Sequence, residues 1–512
     1  MVAPTVFHMK PSLNQMNIPT GVSRVTGILI SANFQAFLVG GCVRDLVMGK
    51  LPKDWDITTN AKPEEIVQLF EQAEFKVVYE NTFGTVMVID EGEPLDSPVR
   101  QIEITPFRRE TAYSDHRHPD AVMFADTLEE DLVRRDFTMN ALALDCSRIQ
   151  NDIKTTFIND MFGGLNDIQN DIITCVGNAD DRFKEDALRM LRAVRFAAQL
   201  NFGVSHETLV AIHANRELLK HISQERIRDE FVKLIASDNP IVGLGLMEKL
   251  GLLEFVVPEL LEGVGCVQGG AHKYDVFEHL LHACQHAADK KFPFHVKLAA
   301  LFHDIGKPRT RRPGQRKAYT FYGHEVVGAR MTEKIMQRLK FPKAETELVV
   351  KLVRNHMFFS DTEQITLSAV RRMIANVSRE NIWLLMQVRE CDRVGMAKVE
   401  APYRLRKYHA MIEECLRDPI SVSQLTIDGI YLMRELHVKP GPRMGWMLHA
   451  LLEEVLEDPS KNTIEYLSGR VKQFEVMSDE ELKTLGDKGK IKKEELEEEE
   501  VGKLHVKHGV KK

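Results

Sequence analysis

The spacing of apolar positions changes about a third of the way along the chain. Before that point, short apolar runs typical of strands occupy residues 37–41, 75–80, 84–90 and 99–105. Pro63, followed by two glutamates, predicts that a helix begins between two of these runs. Beyond about Asn166, apolar residues recur at helical spacing. The pattern predicts an α+β protein in which a small α/β head with a mixed sheet precedes a mainly helical remainder.

Chain length and charge refine this expectation. A chain of 512 residues exceeds the ~250–300 residues at which a single core stops growing, so we expect several units, with boundaries near 165, 270 and 395. The net charge of −7 does not exclude nucleic-acid binding, because phosphate contacts need only a local basic patch. The mixed charges from about Asp479 to Lys512 predict a disordered or loosely helical tail.

Two classes of protein are disfavoured by the composition. No run of ~18 uncharged apolar residues is present that would span a bilayer, and no basic-then-apolar leader precedes the first strand. The seven cysteines are scattered without a C-x-x-C pair, which disfavours a disulfide framework or a structural zinc site. We therefore expect a cytoplasmic protein that does not bind membranes.

A glycine pair ends the first apolar run, in the segment FLVGGCVRDLVMG. Gly40 and Gly41 would let backbone amides at a helix N-terminus approach a phosphate, and Arg44 adds a charged donor. We expect this helix to begin between Val43 and Asp45. Taken alone, the pair fits a plain strand-to-helix connection equally well.

Two carboxylates follow ten residues later, in KDWDITT. Strand alternation places Asp54 and Asp56 on one face and buries Trp55 and Ile57 on the other. Converging carboxylates hold Mg²⁺, which prefers oxygen ligands and bridges triphosphate oxygens during an in-line displacement. On a later strand, Glu103 is the candidate for a third acid. The alternative is that these acids are simply solvated.

Charged residues recur every three positions in EDALRMLRAVRF, which predicts that Asp186, Arg189, Arg192 and Arg195 share a helix face. A carboxylate accepts from an exocyclic amine, and a guanidinium donates to a ring nitrogen. Cytosine and adenine offer that pair of groups, whereas uracil and guanine present a carbonyl and an N–H instead. The bland alternative is an ion pair on a surface helix.

Seven segments in a fixed order resemble the class II tRNA nucleotidyltransferases and the related bacterial poly(A) polymerases, over about residues 24 to 470. The segments are GGCVRD (40–45), DWD (54–56), YSDHRHP (113–119), EEDLVRRDFTMNALA (129–143), DMFGGLNDI (160–168), EDALRMLRAVRF (185–196) and QERIRDEF (224–231). The family's site is a Mg²⁺-dependent nucleotidyltransferase centre.

The resemblance implies roles for individual residues. The catalytic acids would be Asp54, Asp56 and Glu103, with Asp54 and Asp56 as Mg²⁺ ligands. The nucleotide would be bound by Gly41, Arg44, Arg135, Asp136, Asn140, Asp186, Arg189, Arg192 and Arg195. Among these, Asp186 and Arg189 would read the base, and Arg192 and Arg195 would contact the triphosphate. Arg135 would contact the triphosphate or the ribose, and Asp136 and Asn140 would recognise the sugar or form a structural cap. Gly163 and Gly164 would form a hinge.

A second set of residues resembles the HD domain superfamily, whose members bind divalent metals and hydrolyse phosphoesters. The set is His279, His303, Asp304, His324, His356 and Asp392. Imidazole and carboxylate ligands together suit Mg, Mn, Co, Ni, Fe or Zn, so the sequence does not choose the metal. The substrate would be a 2′,3′-cyclic phosphate or 3′-phosphate at an RNA end, and the basic segment 309–317 would follow RNA phosphates or be a solvated loop.

The expected organisation is a catalytic head, a helical neck that binds nucleotide and RNA, an HD domain, a helical tRNA-binding tail and a charged tail. Their ranges are 1–165, 166–270, 271–395, 396–475 and 476–512. The first hypothesis for function is addition of C, C and A to the tRNA 3′ end from CTP and ATP, with contacts to the acceptor and T arms. The alternatives are a poly(A) polymerase, a CC-only or A-only enzyme, and an HD phosphohydrolase whose head only binds RNA. The sequence does not distinguish a monomer from a homodimer.

Overall fold

The computed structural model describes residues 18–80, 84–110, 122–149, 157–269, 273–314, 318–357, 366–395, 402–419 and 421–486. The family segment 113–119, the basic residues 315–317 and the charged residues 487–512 lie outside these ranges. The chain divides into two compact units, Met1–Pro258 and Glu259–Lys512.

A mixed sheet organises the first unit. The strands of this unit are β1 (Ala36–Val39), β2 (Asp56–Thr59), β3 (Lys76–Glu80), β4 (Thr85–Ile89), β5 (Gln101–Pro106), β6 (Arg108–Glu110), β7 (Val122–Phe124), β8 (Leu142–Asp145), β9 (Ile158–Asp160), β10 (Ile172–Ile173) and β11 (Gly203–Val204). Strands β6 and β7 form a separate hairpin, and β10 and β11 form a short parallel pair. Within the described residues the main sheet has the order β3-β4-β5-β2-β1-β8-β9. Only β2 and β5 run parallel among its neighbouring strands. The predicted α/β head with a mixed sheet is confirmed.

Helices cover the sheet and then continue beyond it. They are α1 (Thr20–Ser31), α2 (Gly41–Val47), α3 (Pro63–Gln72), α4 (Leu128–Val133), α5 (Gly164–Gln169), α6 (Ala179–Glu185), α7 (Leu188–Leu200), α8 (His206–Asn215), α9 (Gln224–Ala236), α10 (Pro240–Lys249) and α11 (Leu253–Val256). Pro63 is the first residue of α3, as predicted, and Glu65 accepts from the backbone N–H of Lys62.

The short helix α4 is anchored to the sheet by apolar packing. Leu128 and Leu132 of this helix lie in one buried cluster with Val39 of β1, Phe107 and Ala143 of β8. Burial of such side chains stabilises the fold by roughly 1.5–3 kcal/mol each. This packing holds α4 against β1 and β8.

In its described residues, the second unit is helical apart from one short hairpin. Its elements are α12 (Val276–Asp289), α13 (Phe294–Phe302), α14 (Lys307–Thr310), β12 (Arg312–Pro313), β13 (Tyr319–Thr320), α15 (His324–Arg338), α16 (Lys343–Asn355), α17 (Leu367–Val377), α18 (Ile382–Asp392), α19 (Pro402–Cys415), α20 (Gly429–Arg434), α21 (Pro442–Glu457), α22 (Ile464–Glu475) and α23 (Asp479–Gly486). Helix α13 is buried over seven consecutive residues, Val296 to Phe302, so it is the central helix around which α12, α16 and α18 pack.

Residues 479–486, which lie in the segment expected to be a disordered or loosely helical tail, form α23, and this helix packs on α21 through the fully buried Leu482. All seven cysteines are buried and unpaired. Among the described residues, no helix combines the length and apolar character required to cross a membrane.

Candidate active site and metal centre

The head acids lie where β2 and β5 run side by side. Asp56, the first residue of β2, is in direct register with Glu103 of β5. Asp54 is exposed and precedes the strand, whereas Trp55 and Ile57 are each 1% exposed. Trp55 and Ile57 are buried and Asp54 is exposed as predicted, but Asp56 is partly buried, and the parallel pairing of β2 with β5 brings it beside Glu103.

The glycine turn lies beside these acids. Gly40 caps α2 with φ of 74°, a left-handed conformation that favours glycine, and the helix begins at Gly41. The predicted start between Val43 and Asp45 was therefore too late. A Cβ added to Gly40 would lie 3.0 Å from Nη1 of Arg135 and 3.7 Å from Oδ2 of Asp56. The turn thus leaves room for a guanidinium and a carboxylate at the same place.

The electrostatics of Asp56 fit a divalent cation. Burial raises the pKa of Asp56 to about 6, with further increases from Glu103 and Asp54 and an opposing effect of Arg135. Carboxylates held this close repel one another unless a positive charge lies between them. The acid group therefore fits Mg²⁺, and Asp54, Asp56 and Glu103 are the residues that would hold it.

A buried polar network extends from the turn to α7. Arg44 donates to Asp45 and, through Nη1, to Oδ1 of Asn140 at 2.9 Å, and Asn140 in turn donates to Asp136. Arg192 donates from Nε to Oδ2 of Asp136 at 2.8 Å. Burial alone would raise the pKa of Asp136, but Arg192 and the Asn140 amide hold it at about 2. The structure thus brings these four predicted residues together.

The guanidinium groups of three arginines surround the ring of Phe196. Those of Arg44, Arg192 and Arg195 lie 5.2, 5.5 and 3.9 Å from the ring centroid. Arg195 also forms an ion pair with the buried Glu230 at 2.7 Å. Guanidinium groups gathered in this way offer donors to a polyanionic ligand such as a triphosphate, while Asp45, Asp136 and Glu230 balance part of their charge.

Asp186 does not share a helix face with Arg189, so that prediction was wrong. Asp186 caps the end of α6 with extended backbone, and α7 begins only at Leu188. Its Oδ1 accepts from the Leu188 N–H, and its Oδ2 accepts from Arg226 of α9 at 2.8 Å. The three-residue spacing predicted one helix from Asp186 to Arg195, whereas the structure has extended backbone at Asp186 and a helix only from Leu188. The spacing also gave no indication of the contact with Arg226.

Arg189 is held from several directions. Its Nη1 donates to Glu185 at 2.6 Å and to the carbonyl of Arg182 at 3.2 Å, and its Nη2 donates to the carbonyl of Arg134 at 2.9 Å. These partners fix the plane of the guanidinium. A fixed guanidinium is suited to directional recognition of a base edge.

The glycine pair of the predicted hinge has a packing role. Gly163 adopts φ of 75° before α5, and a Cβ on Gly164 would overlap the carbonyl oxygen of Thr138. Asp160 accepts from the N–H groups of Gly164 and Leu165. Close backbone approach thus explains the glycine at position 164, and the hinge motion stays a prediction.

The six HD residues converge in the second unit. They come mainly from helix ends: His303 and Asp304 follow α13, His324 begins α15, His356 follows α16 and Asp392 ends α18, whereas His279 lies within α12. Potential ligand atoms form two groups, each within 4.8 Å, that share Asp304. One group is His279, His303, Asp304 and Asp392, and the other is Asp304, His324 and His356.

Backbone carbonyls orient three of these histidines. The Nδ1 atoms of His303, His324 and His356 lie 2.7–2.8 Å from the carbonyl oxygen three residues earlier. Each Nδ1–H therefore donates to the backbone, and the Nε2 lone pair faces the centre of the site. Nε2 of His324 and of His356 then face Oδ1 of Asp304 at 3.1 and 3.6 Å. Acceptors that face each other in this way fit a cation between them.

The charges of the site lead to the same conclusion. Burial opposes protonation of His303, but Asp304 and Asp392 raise its pKa to about 10. Lys307 adds a buried ammonium group 2.5 Å from Oδ2 of Asp304 and 2.7 Å from Oε1 of Gln268. The sequence reasoning missed Lys307, although it follows the His-Asp pair by only three positions. The donor set fits one or two divalent metal ions.

Sequence profiles of three known domains match consecutive parts of the chain. The Poly A polymerase head domain matches residues 36–174, the probable RNA and SrmB- binding site of polymerase A matches 201–263, and the HD domain matches 270–394. The chain accordingly carries a polymerase-type head domain followed by an HD domain, two classes of domain that use divalent metals.

Whole-chain relatives narrow this class. The CCA-adding enzyme of Lactobacillus delbrueckii subsp. bulgaricus (strain ATCC BAA-365 / Lb-18) is 32% identical over 85% of this chain and 93% of its own length. That of Ligilactobacillus salivarius is 45% identical over 48% of this chain and 55% of its own length, so that alignment spans about half of the relative. The crystal structure of Bacillus stearothermophilus CCA-adding enzyme in complex with CTP has 25% identity and a TM-score of 0.65, covering 90% of this chain and 99% of its own. The chain belongs to the family of CCA-adding enzymes.

Proposed function

We propose that this protein adds C, C and A to the 3′ end of tRNA from CTP and ATP, with release of pyrophosphate. The observation that carries the proposal is that one unit holds the head acids, the arginines around Phe196, a fixed carboxylate at the end of α6 and a fixed guanidinium in the first turn of α7. The relatives are CCA-adding enzymes, and the Bacillus stearothermophilus enzyme was solved with CTP.

The head residues divide the work of nucleotide binding. Asp54, Asp56 and Glu103 would hold Mg²⁺, which when bound neutralises triphosphate charge and activates the attacking hydroxyl. The arginines and the glycine turn bind the triphosphate through Gly41, Arg44, Arg135, Arg192 and Arg195. Asp136 and Asn140 contact the sugar.

Asp186 and Arg189 choose the base. The Asp186 carboxylate accepts from the exocyclic amine of cytosine or adenine, and the Arg189 guanidinium donates to the adjacent ring nitrogen. Uracil and guanine would place a carbonyl oxygen opposite the carboxylate and an N–H opposite the guanidinium. Each group left unpaired in this way costs ~1–3 kcal/mol. Arg226 holds the Asp186 carboxylate in place, and Glu185 holds the Arg189 guanidinium.

The proposal is tested by incubating the protein and Mg²⁺ with tRNA that ends at the discriminator base, with CTP, ATP or both, and sequencing the 3′ ends. Products that stop at CCA support it. Long A tracts would identify a poly(A) polymerase, and CC alone or A alone would identify an enzyme of split function. An absence of addition would leave HD hydrolysis as the main activity.

A second activity is proposed for the second unit, because two ligand groups share Asp304 in a buried site. It is removal of a 2′,3′-cyclic phosphate or 3′-phosphate from an RNA end, which would expose the hydroxyl that the head extends. Labelled tRNA carrying either phosphate should lose it with wild-type protein and keep it with His303→Ala. Retention of the phosphate by wild-type protein under Mg, Mn, Co, Ni, Fe and Zn in turn would contradict this activity.

The remaining parts of the proposal concern tRNA binding. We assign nucleotide and RNA contacts to the neck and contacts with the acceptor and T arms to the helices of residues 396–475. Duplex RNA is recognised by shape and phosphate contacts, so these helices need no motif that reads bases. We assign the protein to the cytoplasm as the compartment that supplies tRNA, CTP and ATP together.

A further inference from the structure

Asp131 is a fully buried carboxylate on α4 that is paired with two arginines. Its Oδ1 accepts from Nε and Nη2 of Arg134 at 3.1 and 2.6 Å, and its Oδ2 accepts from Nη2 of Arg135 at 2.9 Å. A buried carboxylate is costly unless it is paired and hydrogen-bonded. The two ion pairs therefore fix both guanidinium groups relative to the end of α4.

Arg135 connects Asp131 to the head acids. Its Nη1 lies 3.5 Å from the carbonyl oxygen of Asn140 and is adjacent to Gly40, close to the Asp56 carboxylate. The orientation that Asp131 imposes on Arg135 is thus the orientation presented at the glycine turn.

The backbone at the end of α4 connects Asp131 to the base-reading side. The carbonyl of Arg134 accepts from Nη2 of Arg189, and the carbonyl of Val133 accepts from Nη1 of Arg182 at 3.0 Å. The last carbonyls of a helix carry partial negative charge and favour cationic partners. A shift of this helix end would therefore move Arg189.

We propose that Asp131 is a positioning residue that couples triphosphate binding to base selection. One buried carboxylate holds Arg135 at the phosphate side and holds the helix end that orients Arg189 at the base side. When the triphosphate of a nucleotide is bound, its base then lies opposite a correctly oriented Arg189. The inference rests on the proposed function, in which Arg135 contacts the triphosphate and Arg189 reads the base.

The experiment compares Asp131→Asn with Glu129→Gln, which removes the same charge from an exposed position on the same helix. Equilibrium affinities for CTP and UTP and the single-turnover rates of their addition are measured. We expect Asp131→Asn to weaken CTP binding at least tenfold and to reduce the CTP/UTP preference at least tenfold, while Glu129→Gln matches wild type. Weaker CTP binding with an unchanged CTP/UTP preference would overturn the coupling.

Arg134→Lys provides a second variant, because it keeps the charge balance and removes the forked contact with Asp131. It should reduce the CTP/UTP preference at least threefold, and an unchanged preference in this folded variant would also overturn the inference. A wild-type protein that does not prefer CTP to UTP would contradict the proposed function itself. A wild-type preference that survives in both variants would contradict only the role of Asp131.

Discussion

The two candidate metal sites differ in the source of their ligands. In the second unit, six side chains from five helices or their ends converge, and backbone carbonyls fix the Nδ1 atoms of three histidines. In the head, Asp54 and Glu103 are exposed. Within the described residues, both groups of potential ligands that meet within 4.8 Å belong to the second unit.

The difference follows from what each site would bind. A triphosphate brings its own oxygen atoms to Mg²⁺, so the head needs only a few carboxylates beside a place for the phosphates. An HD site would hold its ion before the substrate arrives, so the protein supplies a nearly complete ligand set. One metal would arrive with the substrate, and the other would stay with the protein.

The largest expected effect is the separation of the two activities. Asp54→Ala should reduce nucleotide addition by on the order of 10³-fold and leave phosphate removal unchanged, because it removes a Mg²⁺ ligand of the head only. His303→Ala should do the reverse. Both rates are measured on the same tRNA substrates, and loss of both activities in either variant would contradict two separable sites.

Metal content provides the next comparison. After dialysis without chelator, the wild-type protein should retain one or two equivalents of divalent metal, measured by mass spectrometry of the acidified sample. Asp304→Ala should lose them because both ligand groups share that carboxylate. Asp56→Asn is the matched variant in the head and should keep them. Equal metal content in wild type and Asp304→Ala would contradict the assignment of Asp304 as a shared ligand.

Acid should weaken the head through Asp136. Its pKa of about 2 lies below the ordinary 3.8, so its contribution to stability is fully present above about pH 4 and is lost as the pH falls towards 2. Asp136→Asn should reduce the free energy of unfolding by roughly 2 kcal/mol at pH 6. The difference from wild type, measured by urea unfolding, should shrink below pH 4. Asp181→Asn, at an exposed position on α6, should show no such difference.

The smallest effect concerns the glycine pair before α5. Gly164→Ala should destabilise the protein by ~1–3 kcal/mol, because its Cβ would overlap the backbone of Thr138. Gly27→Ala, where the space is open, should be neutral or stabilising in the same thermal unfolding experiment. The hinge is a separate question: a Gly164→Pro variant that still adds C and A normally would contradict it.

The sequence was sufficient where chemistry follows a local pattern. Strand alternation correctly predicted that Trp55 and Ile57 are buried and that Asp54 is exposed, and the HD resemblance selected six residues that the fold brings together. The alternation depends on immediate neighbours along the chain, whereas the HD residues come from five helices or their ends and were found through the order of their motifs.

Other features depend on contacts between distant segments. Asp186 pairs with Arg226, forty positions later, because the chain is extended between α6 and α7. A period of three gives no sign of that break. In the sequence, Asp131 resembles any acid on a charged helix. In the fold it is buried and forms ion pairs with two arginines. Such positions require the tertiary structure because burial, not residue type, gives them their effect.

The acceptors that hold Arg189 have an evolutionary consequence. Two of them are main-chain carbonyls, those of Arg134 and Arg182. Replacement of the Arg182 side chain leaves its acceptor oxygen in the chain, so the proposed choice of base is partly protected from mutation there, whereas the side chain of Arg134 is constrained by its ion pair with Asp131. Sequences could therefore diverge at position 182 while the proposed base preference is retained, provided that the path of the backbone is kept.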